Sequence, residues 1–129
     1  MAGDASSYLR NKLVDHSLGT TAYTKPTAVY LAAFIGDPGA TGTEISTTDT
    51  GYGRQAVTFA GASSGSAASN ADVVFPVATA DWGTVSHLAL YDAATSGNLL
   101  WYGPMATAKT IDSSDQLKVA SGNFTVSLT

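Results

Sequence analysis

The sequence predicts a mostly β, single-domain fold: an antiparallel β-sandwich, jelly-roll-like, of seven or eight strands behind one short N-terminal helix. Three observations predict it. The chain has 129 residues, one domain's worth. Charged residues make up only 12%, about half the usual ~25%, and Gly, Ser, Thr and Ala take their place. After residue 26 the apolar positions recur with the period of strands, between polar turns.

The helix comes first. In "SSYLRNKLVDHSLG" Leu9 and Leu13 fall four apart. Asp4, Ser6 or Ser7 can cap its start, and Gly19 tolerates the φ > 0 that ends it. So short a helix is marginal alone and needs a surface to pack on. The division expected within the single domain 1–129 is an N-terminal helix and arm over residues 1–24 and a β-sandwich over 27–129. The arm and helix are expected to act in assembly more than in folding, so their removal should leave a folded β domain.

"TAVYLAAFI" (residues 27–35) is almost wholly apolar, as a strand covered on both faces would be. Residues 36–53 show no clear period, and a loop of that length in a small domain is expected to be mobile or to serve as a contact. Val57 and Phe59 share a strand face, as do Val73, Phe75 and Val77, with Pro76 marking an edge or a bulge. "TVSHLALYD" and "NLLWYG" form a hairpin around "DAATSGN", where Gly97 and Asn98 are the turn formers. Leu117 and Val119 point inward in "QLKVA". Phe124, Val126 and Leu128 alternate with polar neighbours in the last strand.

The net charge is −4 and the six cations are scattered. No basic stripe exists for nucleic acid or an anionic membrane, so neither is an expected partner. With no cysteine, disulfides and thiolate metal sites are excluded. "MAGDASSYLRNK" lacks the basic and apolar regions of a signal peptide, and no apolar run reaches membrane-spanning length.

Ser86, His87 and Asp92 lie within seven residues and invite a hydrolytic reading. Strand geometry opposes it. Neighbours in a strand point to opposite faces, which separates Ser86 from His87 and puts His87 on a face with Val85, Ala89 and Tyr91. Asp92 would sit roughly 16 Å along the strand. His87 reads as a half-buried sheet residue and His16 as a solvated helix residue. The two histidines lack zinc-ligand spacing. Asp37, Glu44 and Asp49 are too dispersed for a calcium loop, and Asp112 and Asp115 in "IDSSDQ" read as a turn. "GDPGATG" lacks the lysine and helix of a phosphate loop. Trp82, Trp101, Tyr52 and Tyr102 could line a sugar platform but read first as core. No catalytic, cofactor-binding or metal-binding residue is therefore assigned, and no cofactor is expected.

Four blocks taken in order carry a resemblance. They are "YLRNKLVDHSLGTTAYTKPTAVYLAAFIGDPG", "GYGRQAVTF", "WGTVSHLALYDAATSGNLLWYG" and "LKVASGNFTVSLT". Together they resemble a family of small tailed-bacteriophage virion proteins that bears a tail-fiber name. The resemblance implies a non-enzymatic virion structural protein assembled in the bacterial host cytoplasm. Its expected partners are other virion proteins (the major capsid protein or tail components) and further copies of itself. The first expectation is a capsid decoration or cement protein docked on the head shell. The alternative is a tail-fiber or tail-tip module that binds host glycan. A glycan hydrolase, the third reading, lacks a carboxylate pair placed by any motif.

Overall fold

The computed structural model describes residues 2–128. The elements in chain order are β1 (Ala2–Ala5), α1 (Ser7–Ser17), β2 (Val29–Ile35), β3 (Thr43–Glu44), β4 (Gln55–Val57), β5 (Ser66–Ala68), β6 (Val73–Val74), β7 (Gly83–Tyr91), β8 (Leu99–Ile111), β9 (Lys118–Val119) and β10 (Thr125–Ser127). Eight of the strands form one mixed sheet in the order β3-β2-β7-β8-β1-β10-β5, with β4 also paired to β2, while β6 and β9 form a separate pair. The mostly β single domain with one helix is thus what the sequence predicts, although a strand precedes the helix. Among the described residues there are ten strands in place of seven or eight.

The central strands are apolar on both faces for a reason visible in β2. Leu31 and Ala33 enter the main core, while Ala32 and Phe34 face the opposite side with Ala89. All four are buried. The main core fills the space between the inner face of β2 and β7 and the segments carrying Val57, Phe75, Leu117 and Phe124. Phe75 and Phe124 are fully buried. Trp82 and Tyr52 meet edge to face at 5.4 Å in the same core, a favoured aromatic geometry.

The sheet departs from the antiparallel expectation at one pairing. Strand β1 lies between β8 and β10, antiparallel to the first and parallel to the second. "AGDA" has no β-branched or aromatic residue, so no strand signal marks it; its partners impose the conformation. Ser6 follows at once as the helix N-cap, its Oγ accepting from the Leu9 N–H at 3.2 Å. The same hydroxyl donates to the Leu99 carbonyl at 2.5 Å. Leu9 is buried with Ala5 and Leu100, and Leu13 packs on that cluster. The helix therefore finds its surface on the chain's own sheet. Val14 and Leu18 stay exposed.

Two inward assignments change. Val77 is half exposed because the strand stops before Pro76, and Ala78 is buried instead. Leu128 is also exposed, lying one residue past the last paired residue of β10. Residues 36–53 are not an unstructured loop. They contain β3, bury Ile45 and Tyr52, and the Tyr52 hydroxyl accepts from the Ala33 N–H at 3.0 Å.

Candidate functional site

The hairpin of β7 and β8 carries two irregularities that position its polar residues. Ladder pairs run Val85↔Lys109 and then His87↔Pro104, so Ser86 alone stands opposite the four residues between Pro104 and Lys109. This bulge breaks the two-residue period. Val85 joins Leu88 and Leu90 in the main core instead of sharing a face with His87. It also brings together the pair that regular geometry would separate: Ser86 Oγ and His87 Nδ1 lie 2.9 Å apart. Ser86 Oγ accepts from the Gly36 N–H at 2.9 Å. The hydroxyl thus links the imidazole to the turn after β2.

Asp92 does not join them. Its carboxylate closes the hairpin loop, accepting from the Asn98 backbone N–H at 2.7 Å and from the Asn98 side-chain amide at 3.0 Å. Asp92 therefore does not orient His87. His16 is exposed on α1, where its Nδ1 accepts from the Tyr23 N–H at 3.0 Å.

The polar centre of the molecule lies elsewhere, at Arg54. Its Nε donates to Glu44 Oε2 at 2.8 Å and its Nη2 to Glu44 Oε1 at 2.9 Å, a bidentate pair. Its Nη1 donates to the carbonyls of Ala93 and Ser96 at 3.0 and 2.7 Å. The guanidinium stacks on the Tyr91 ring. The Tyr52 hydroxyl donates to Glu44 Oε2 at 2.6 Å. One cation thus ties β3, the entry to β4 and the β7–β8 loop over the outer face of the sheet. Only 8% of the Arg54 side chain is exposed, against 26% for Glu44.

The electrostatics follow from that enclosure. Burial pushes the Glu44 carboxyl up, but the hydrogen bonds from Arg54 and Tyr52 and the charge of Arg54 outweigh it and hold the group below its ordinary value. Burial and the Glu44 hydrogen bond push the Tyr52 phenol far up. Tyr91 also rises, chiefly through burial. Such a cluster keeps a fixed charge pattern at neutral pH, and the groups described are each committed to a partner.

The remaining candidates resolve into packing and turns. Trp82 is buried, its indole N–H donating to the Thr50 carbonyl at 2.9 Å. Tyr52 is buried, Trp101 is half-buried against two clusters, and Tyr102 lies beneath Gly39, where a Cβ would come within 2.5 Å of its ring. These rings form no exposed platform. Asp37 accepts from the Gly39 N–H, Glu44 is ion-paired, and Asp112 and Asp115 bond across their own turn. Among the described residues no three His, Asp or Glu side chains converge on a metal-sized site.

Sequence reading missed Arg54 because "GYGRQ" looks like a loop end and Glu44 lies ten residues away. The one signal was economy: an isolated arginine between a tyrosine and a strand, in a chain with few cations.

Fold and site together define a small β domain whose central polar groups hold its loops to its sheet. The family model of the podophage GP4 fiber I protein gp80 matches residues 4–127. Spanning nearly the whole chain, that match shows that the chain belongs to this phage fiber protein family. Among curated proteins none matches the chain.

Proposed function

We propose that the protein is a non-enzymatic structural module of the phage fiber apparatus, built into the virion through contacts with other virion proteins and further copies of itself. The observation that carries this reading is the family match over residues 4–127, whose name specifies a fiber. The site supports it. Arg54 and Glu44 neutralise each other, and Ser86 and His87 serve the turn after β2. The fiber reading takes precedence here over a head-shell decoration protein, which the family's name does not favour.

Copy number tests the assignment. In a symmetric particle each component occurs in a multiple set by its local symmetry axis. Quantitative mass spectrometry of purified virions should give a small multiple of the tail's symmetry, and antibody labelling should fall on fibers. A copy number on the scale of the capsid subunits, with label over the head, would overturn the fiber reading and restore shell decoration.

A further inference from the structure

Helix α1 covers only part of the sheet end on which it packs. Leu9 and Leu13 hold it against Ala5 and Leu100. Beside that contact a groove of about 770 Å³ opens, with Leu13 and Val14 on the helix side and Ala5 and Leu128 on the sheet side. The parallel register builds the sheet side. Ala2 lies beside Thr125 and Gly3 beside Val126, so two residues further on Leu128 comes beside Ala5. Leu128 is held there by its N–H, which donates to the Gly65 carbonyl at 2.9 Å. Val14 is 55% exposed and Leu128 54%, so both offer apolar area to a partner. Leu18, one turn beyond Val14, is 73% exposed. Half of the six large apolar side chains left exposed among the described residues therefore gather here, and a gathered patch, unlike single scattered residues, marks an interaction surface.

The groove also holds an acid and a base that the fold leaves unused. Asp4 of β1 and Arg10 of α1 both line it and both are exposed. Among the described residues neither makes an ion pair. An acidic ligand seated against Arg10 would also face Asp4, and a basic one would meet the reverse conflict. Like charges brought together out of water cost affinity. A second copy of the same surface removes the conflict. In a two-fold pair every contact occurs twice, with residue i on j and j on i. Arg10 of one copy then meets Asp4 of the partner subunit, and the exchange is reciprocal.

We propose that two copies of the chain dock through this groove as a two-fold pair, with Val14, Leu18 and Leu128 packed into the contact and Arg10 and Asp4 joined reciprocally across it. This rests on the reading above that copies of the chain assemble with one another, and it names the surface that joins them. Burial of the exposed apolar side chains drives the association, and the two ion pairs fix its orientation.

Sedimentation velocity of the full chain over a concentration series tests it. The expected result is a reversible monomer–dimer equilibrium. Arg10→Asp alone and Asp4→Arg alone should each weaken it by at least about tenfold, because each sets like charges against one another. Mixed in equal amounts, the two variants should associate again, since each supplies the charge that the other has lost. Thermal midpoints by circular dichroism check that every variant is folded. Val14→Glu, at an exposed helix position, should weaken the dimer as much and keeps the test decisive if Asp4→Arg disturbs β1. The proposal is overturned by a chain that stays monomeric at roughly millimolar concentration, by a dimer that survives Arg10→Asp or Val14→Glu, or by folded charge-reversed variants that stay apart when mixed. Copy number and label position in virions decide the fiber reading separately, so either reading can fail while the other stands.

Discussion

Arg54 places its guanidinium carbon 3.7 Å above the centroid of the Tyr91 ring, so the cation that pairs with Glu44 also lies flat on an aromatic face. Planarity is what permits both contacts, and lysine does not have it. Breaking a fully buried ion pair costs about 3–5 kcal/mol. The partial exposure of Glu44 argues for a smaller loss. Arg54→Lys should therefore destabilise the fold by about 2–4 kcal/mol, measured by urea unfolding with an unchanged m-value. A loss within ~0.5 kcal/mol, typical of plain surface changes, would show that the pairing does not matter.

The same cluster gives stability a defined pH profile. Glu44 titrates below its ordinary value in the folded state. Its contribution is full above the unfolded glutamate value of ~4.3 and disappears as pH falls through the lower folded value. Tyr52 titrates above its ordinary value, so its contribution is full below about pH 10 and declines above it. Thermal midpoints followed by circular dichroism should fall at both ends. Glu44→Gln should flatten the acid limb and Tyr52→Phe the alkaline one. Limbs as steep as in the wild type would refute this linkage.

Phe75 and Val77 separate pattern from packing. Both sit at inward positions of the "DVVFPVA" alternation, but Phe75 is fully buried and Val77 is half exposed. Phe75→Ala should cost about 3–5 kcal/mol, and Val77→Ala should stay within ~0.5 kcal/mol. Denaturant midpoints for the two variants decide it. Equal losses would contradict the observed end of β6.

Removing residues 2–5 should harm the fold itself. Strand β1 is bonded on both edges, to β8 and to β10, and each lost ladder bond is worth about 1 kcal/mol. The truncated chain should lose roughly 3–5 kcal/mol and bind more of a dye for exposed apolar surface. A truncated protein with the wild-type urea midpoint would return the segment to a pure assembly role.

What the sequence made legible was whatever repeats with a fixed period. The double-sided burial of β2, the helix with Leu9 inward, and the turn around Gly97 and Asn98 are all local patterns. What stayed hidden depends on partners distant in sequence. Ala2–Ala5 is a strand only because β8 and β10 flank it. Val85 faces the core only because four residues of β8 are extruded opposite Ser86, and that extrusion leaves no mark in "PMATAK". The Arg54 clasp joins Glu44 to the carbonyls of Ala93 and Ser96, and no local window contains all of them.

The position of β1 also sets an order of events. Its parallel partners are Ala2 with Thr125 and Gly3 with Val126, so β1 must wait for β10 before the sheet can close. During synthesis β8 lacks its neighbour on that side until β1 docks, and β1 lacks its own second neighbour until β10 has been made. Pairings so distant in sequence are slow to form. The nascent chain thus carries an open sheet edge until β10 has been made.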